Sequence, residues 1–174
     1  MGSSGVTSDD LMVRSAEPDD HSAIAKIYCE YLRRLGGEDP IPEECAVADA
    51  LTQDAGTPRL PMECLVACTS DKKSVVLGFA IITPMFGLPG RGDALSLRHL
   101  VVAQDHRRRG IGRLLMARAA ARAVELKCRR LEWTVARLDL DTRAFFEMVV
   151  PDSFRLNELT YIADFADLLV LAKP

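Results

Sequence analysis

A mixed α/β sheet is the fold class this sequence predicts, on three observations. Strand-like and helix-like runs alternate along the 174 residues, and two strand-like runs between Cys64 and Thr83 form a hairpin pattern. A long helical stretch also follows directly on a strand, through a basic, glycine-bearing turn. The length suits a single domain with a full core, read as residues 9–174 behind a flexible tail at 1–8.

The elements follow in order. Leu11 to Arg14 reads as a short strand, ended by Glu17-Pro18. Asp19 or Asp20 is placed to cap a helix whose Ile24, Ile27, Tyr28, Tyr31 and Leu35 recur at helical spacing, and Gly36-Gly37 stops it. Four prolines between Glu38 and Pro61 predict an irregular stretch with one helix around Cys45 to Gln53. Cys64 to Cys68 and Val75 to Thr83 are the hairpin strands, joined by Ser70 to Lys73, and GLPGRG at 87–92 turns the chain into a strand over Ala94 to Ala103. From about Gly112 to Lys127 the chain predicts a helix with polar residues on one narrow stripe and alanines around much of the rest, as for a central helix packed on more than one side. Leu131 to Ala136 then reads as a buried strand, Asp139 to Met148 as a short helix, and Leu159 to Ile162 and Leu168 to Ala172 as two late strands.

Composition removes several classes of function. Hydrophobic residues make up 48% and charged residues 27%, the balance of a globular chain rather than a disordered one. No apolar run is long enough to span a bilayer, and MGSSGVTSDD lacks the apolar core of a secretory signal. Val6 stands where a myristoylation signal needs Ser or Thr, so the expectation is a cytoplasmic protein without a membrane partner. A formal charge of −3 argues against nucleic acid as a partner. The five cysteines are an odd, scattered set that predicts free thiols, and no His or Cys cluster completes a metal site.

The sharpest local feature is Arg107-Arg108-Arg109-Gly110-Ile111-Gly112, between a strand and a helix. Glycines admit close approach of a ligand to the backbone, and helix-start N–H groups attract anions. With Arg113, four arginines suit several phosphates. The motif lacks the Lys-Ser/Thr of a P-loop and the three-glycine spacing of a dinucleotide fingerprint. The plain alternative is a solvated basic turn that starts a helix.

Taken together, LRHLVVAQ, DHRRRGIGRLLM and TRAFFE resemble the GNAT superfamily of acetyl-CoA-dependent N-acetyltransferases. MECLVAC and VLGFAIITPMFG look most like the diamine (spermidine/spermine) and thialysine acetyltransferase branch. The resemblance runs from about Leu11 to Phe146 and is weakest between Gly36 and Arg59. It implies the GNAT fold: a mixed, mostly antiparallel sheet flanked by helices, with a V-shaped cofactor cleft between the fourth and fifth strands. It implies that backbone at Leu100, Val101 and Val102 pairs with the pantetheine arm of acetyl-CoA. Arg107, Arg108, Arg109, Gly110, Ile111, Gly112 and Arg113 would hold the pyrophosphate. The strands at Val101 and Thr134-Val135 would splay to admit the thioester. Asp139 stands where the branch has Asn, a cofactor-associated position, and serves either there or as a plain helix cap.

Departures from the family pattern fall on the catalytic side. The polyamine branch carries acidic residues just before Leu100, where this chain has Arg98 and His99. Phe146 replaces the Tyr expected to protonate the departing thiolate, and Val149-Val150-Pro151 replaces a Gly. His99 is the first candidate for the base and Glu132 the second. Arg98 and Tyr28 are the candidate acceptor-side residues, and Arg98 is expected to disfavour polycations. His21 and His106 read as solvated helix-start and turn residues.

The function so implied is acetyl transfer from acetyl-CoA to a primary amine of a small molecule or protein, without a metal. The alternative is an acyl-CoA-binding module with weak or lost catalysis. The late strands and the resemblance admit a homodimer.

Overall fold

Four consecutive buried residues in one strand, Leu65, Val66, Ala67 and Cys68, require cover on both faces of a sheet. The computed structural model describes residues 10–36, 40–56, 61–71, 73–88, 92–137 and 139–151. Its strands are β1 (Leu11–Ser15), β2 (Glu63–Thr69), β3 (Val76–Met85), β4 (Ala94–Val102) and β5 (Arg130–Glu132), in the sheet order β1-β2-β3-β4-β5. The first four pair antiparallel and β5 pairs parallel to β4, which makes the sheet mixed. The helices are α1 (His21–Leu35), α2 (Glu44–Gly56), α3 (Ile111–Glu125) and α4 (Leu140–Val149). Residues 1–134 and 135–174 form two compact units, the second of which holds α4.

One face of the sheet packs on α1 and α2. Ile24, Ile27 and Leu51 meet Val66, Phe79 and Val101 in a buried cluster. Gly36, at φ 62°, closes α1 as expected, its N–H donating to Leu32 O at 3.3 Å. At the other end of α1 Asp20 is buried, but its carboxylate does not cap the helix. It accepts from Arg14 at 2.6 and 3.0 Å and from the Glu17 N–H at 2.8 Å. Burial pushes the Asp20 carboxyl up, yet those hydrogen bonds and the Arg14 charge outweigh it, so the group sits below the usual carboxylate range.

His21 corrects the expectation of a solvated residue: it is buried, with Nδ1 2.9 Å from Thr52 Oγ1. The Thr52 hydroxyl spends its proton on Ala48 O, so it can only accept from His21, and Nδ1–H donates. That bond ties α1 to α2. His106 is corrected too, since its Nδ1 is buried without a partner.

On the opposite face, α3 lays Ile111, Leu115, Met116, Ala119 and Ala123 on the sheet. The expected central helix is a surface one: Ala117, Ala120 and Ala121 are exposed, and Val124 is 76% exposed. Alanine is chosen by helices for propensity as readily as for burial, so an alanine-rich circumference does not report packing. Its polar stripe is partnered as an ordinary surface, Arg122 with Glu63 at 2.7 Å and Arg118 with Glu125 at 2.7 Å.

Element bounds otherwise lie within a few residues of expectation, with one exception. The strand read over Leu131 to Ala136 is only three residues long and half-buried, and the chain leaves the sheet at Trp133. The tail and both late strands lie outside the described residues. The described cysteines are free, and burial, then the Asp20 charge, pushes the Cys64 thiol up to about 12, which leaves it unreactive. No described helix is long and apolar enough to cross a membrane.

Candidate active site

The β4–β5 ladder holds three pairs, Ala94 with Arg130, Leu95 with Leu131 and Ser96 with Glu132, and then stops. From Leu97 to Val102, β4 keeps its register with β3 alone. A strand edge is thereby opened toward the missing partner. The Ala103 N–H bonds Leu77 O at 2.9 Å on the β3 side. Strand alternation therefore turns the backbone polar groups of Leu100 and Val102 the other way, onto the open edge. A ligand chain with amides of its own would find donors and acceptors there.

Just past the fork the strand carries a bulge. Ile81 faces His99 and Ile82 faces Leu97, so Arg98 has no Cα partner and two residues, Arg98 and His99, stand against one. The slip reverses the side-chain alternation. Leu97 and His99 would share a face in a regular strand, but Ile82 and Ile81 lie on opposite faces, and their partners do likewise. His99 is turned toward α1, where it meets Tyr28 edge-to-face at 5.3 Å, and Tyr28 meets Phe79 at 6.5 Å. Burial, then the neighbouring Arg98 charge, pushes the His99 imidazole below its ordinary value, so it is neutral at physiological pH. A neutral, half-buried imidazole can take a proton.

Glu132, the second candidate base, is already engaged: its carboxylate is ion-paired with Arg130, whose Nη1 also donates to Gly92 O at 3.2 Å. The charge this carboxylate would offer a protonated acceptor is largely neutralised in place.

Beyond Val102 the chain makes a short 3₁₀ turn over Gln104–His106, and the basic motif follows. Arg108 has φ 61° and Gly110 φ 80°, so the backbone twists twice into the left-handed region before α3 begins. Gly110 is the N-cap of α3 and no side chain caps it, which leaves the first N–H groups of the helix without the usual internal partner. A Cβ built on Gly110 would meet nothing within 4 Å. Arg108, Arg109 and Arg113 are exposed around that opening. An uncapped helix start, open space and three free-standing guanidiniums fit a pyrophosphate.

Arg107 plays a different part. Its Nε donates to Val102 O at 3.2 Å and latches the loop to the end of β4. It also borders a small pocket between that strand end and Ile27, Glu30 and Tyr31 of α1. Ile111 is buried rather than open to a ligand, and holds the helix start on the sheet.

Gly78 in β3 is a site-building residue that the sequence reading missed. A Cβ there would lie 2.8 Å from Val101 O, 3.2 Å from Val102 Cα and 3.4 Å from Ile111 Cγ2. Only glycine lets the open-edged strand and the start of α3 come this close. A glycine inside an apolar strand was the available signal.

In the second unit, Asp139 caps α4. Its carboxylate accepts from Thr142 N at 3.1 Å and Thr142 Oγ1 at 2.7 Å, as one of its two expected roles requires. Phe146 is 8% exposed and packs edge-to-face on Phe145 at 5.0 Å. Among the described residues no group of three or more His, Cys, Asp or Glu is placed to hold a metal.

A mixed sheet whose fourth and fifth strands part beside an uncapped helix start is the arrangement the resemblance leads one to expect. The chain matches the profile of the Acetyltransferase (GNAT) family over residues 22–149, and it belongs to that family. Three solved structures illustrate the likeness. An integron cassette protein from the mobile metagenome of V. cholerae is 25% identical, with a TM-score of 0.80, over 95% of this chain and 99% of its own. A ribosomal-protein-alanine N-acetyltransferase from Brucella melitensis biovar Abortus 2308 is 23% identical, with a TM-score of 0.68, over 89% and 99%. An aminoglycoside acetyltransferase from an uncultured soil metagenomic sample is 14% identical, with a TM-score of 0.66, over 89% and 97%. The last two show the shared fold alone. No curated protein matches by sequence.

Proposed function

We propose that this protein transfers the acetyl group of acetyl-CoA to an amine nitrogen of a small molecule or protein. The observation that carries the proposal is the open β4 edge leading directly into the uncapped start of α3. Backbone at Leu100 and Val102 would pair with the pantetheine amides. The N–H groups from Arg108 to Arg113, with the exposed guanidiniums, would hold the pyrophosphate. The resemblance adds Asp139 and Phe146 on the cofactor side.

In the reaction the amine nitrogen attacks the thioester carbonyl, a C–N bond forms and the C–S bond breaks. The proton leaving the nitrogen goes to His99, directly or through one water, and Tyr28 holds the imidazole ring from the α1 side. The thiolate departs with the electron pair and takes a proton from solvent. Phe146 has none to give, but a thiol pKa of about 8.5 makes the thiolate a tolerable leaving group unaided.

The specific likeness to the diamine and thialysine branch rests on the β2 and β3 sequences, and Arg98 with His99 separates this acceptor side from a polycation site. The family match covers parts of both compact units and supports reading residues 9–174 as one domain. A cytoplasmic location and a homodimer complete the proposal.

A second reading, an acyl-CoA-binding module without useful turnover, is favoured by Phe146 alone. Release of free CoA against a panel of amines decides between them. Amine-dependent release supports transfer, and tight acetyl-CoA binding without release by any amine supports the module.

A further inference from the structure

The described cations of the first unit divide into those with a named partner and those without, and Arg98 is among the latter. Arg14 is paired with Asp20, Arg33 with Glu44, Arg118 with Glu125, Arg122 with Glu63 and Arg130 with Glu132. Arg107 is bonded to the backbone and Arg34 lies over the Tyr31 ring at 5.7 Å. Arg98 has no such partner and is exposed, although carboxylates outnumber cations in the chain. Lys26, Lys73, Lys127 and Arg129 are exposed without a named partner as well, and so are Arg108, Arg109 and Arg113 around the opening proposed for an anion; what sets Arg98 apart is its place at a bulge. The bulge sets Arg98 two residues past the last β4–β5 pair, next to the group proposed as base. A β-bulge re-aims a side chain at a small cost in regular pairing. Here the bulged residue is an exposed arginine directly before His99.

We propose that Arg98 is the recognition site for a carboxylate carried by the acceptor, so that the substrate is an amine bearing an acid group: a free amino acid or a peptide with an acidic residue near its N-terminus. This rests on the acetyl-transfer reading and on His99 as base, and it names the substrate class that reading leaves open. A guanidinium and a carboxylate make a two-pronged, charge-assisted contact that fixes both distance and direction. With the carboxylate on Arg98, the amine at the far end of a short chain is delivered to the neighbouring imidazole. The face around His99 presents Tyr28 from α1, Ile81 from β3 and Arg98 on its own strand, and the Glu132 carboxylate on β5 is held by Arg130. Glu30 of α1, a carboxylate on that side, borders the pocket at the Val102 end of β4 rather than at His99.

The experiment has two readouts. The first is CoA release with glycine, β-alanine, 4-aminobutyrate and 6-aminohexanoate, each against its primary amide, and with Ala-Asp-Ala against Ala-Asn-Ala amides as the peptide arm. The best acid is expected to exceed its amide at least tenfold in kcat/KM, and Arg98→Gln is expected to reduce that ratio to within twofold. Whichever arm shows the preference identifies the source of the acid. The second readout is the His99 ring by NMR across pH 5 to 8, with and without the same acids. Burial depresses His99 most and the Arg98 charge adds to it, so a carboxylate on Arg98 removes the second contribution and the ring midpoint rises in the wild type. In Arg98→Gln it starts higher and does not respond. Equal turnover of acids and amides, a midpoint that no acid moves, or an acetyl-CoA affinity that Arg98→Gln weakens more than threefold would each overturn the proposal. A midpoint that responds through Arg98 in a protein that releases no CoA would leave the carboxylate site standing and remove acetyl transfer.

Discussion

Gly110→Glu separates the cofactor cradle from an ordinary helix start. The position has φ 80°, which costs an L-residue about 1–2 kcal/mol, and a Cβ there meets nothing within 4 Å. The strain is present with and without ligand, so it lowers stability and leaves affinity alone. The carboxylate, by contrast, is placed in the opening where the phosphates are proposed to lie. At about 5 Å and an effective dielectric of about 20, one like-charge pair costs about 3 kcal/mol. That is ~10²-fold in Kd, and more if both phosphates are that near. Gly110→Ala carries the same strain without the charge and serves as the reference. In calorimetry with acetyl-CoA the Glu variant is expected to bind at least ~10²-fold more weakly than the Ala variant, while the two unfold at similar denaturant concentrations. A folded Glu variant within threefold of the Ala variant would refute the cradle, and with it the acetyl-CoA reading.

Two further outcomes follow from the same geometry. Gly78→Ala drives a methyl to 2.8 Å from the Val101 carbonyl and should destabilise by about 1–3 kcal/mol, read as a lower urea midpoint. Acetyl-CoA binding should weaken too, because the strand edge and the helix start must separate; unchanged affinity would show that the two do not move together. For His99, burial and Arg98 depress the folded imidazole below the unfolded value of about 6.5. Between those values the unfolded chain binds more protons, so stability falls as pH drops through that window and is constant above it. The acid limb of kcat/KM should lie below pH 6.5, and His99→Gln should abolish that limb and lower kcat by ~10²–10⁴-fold. A limb that survives the substitution would move the base elsewhere.

How much of this was legible in the sequence depends on how local each feature is. The placement of the proposed cradle was legible because its parts are contiguous: the glycines and arginines of 107–113 sit between a strand and a helix that periodicity already marks. Within it, the sequence could not tell Arg107 from Arg108, since the bond from Arg107 to Val102 O is set by the path of the loop. Burial of His21 was not legible because it depends on Thr52, thirty-one residues away. The six-residue strand expected at Leu131 to Ala136 failed for a physical reason. Apolar content continues through Trp133 and Val135, but a strand needs a neighbour, and β4 diverges after Ser96.

That divergence and the bulge belong together. A flat, regular β4 paired with β5 along its whole length would spend every backbone group on the sheet and would turn His99 toward α3. The bulge at Arg98 changes both at once, because an extra residue raises the local twist and inverts the side-chain alternation beyond it. The first four residues of β4 therefore act as an ordinary buried strand, with Ala94, Leu95 and Leu97 in the core. Of the last four, Leu100 and Val102 turn their backbone to the open edge, and the His99 side chain goes to the α1 face. Gly78 then lets α3 start directly beneath the end of that edge. Cofactor arm, phosphate cradle and proposed base thus follow from one slipped register and one missing side chain. This is why Gly78, which does not belong to the glycine motif, is expected to matter for acetyl-CoA binding, and Arg98 for the acceptor alone.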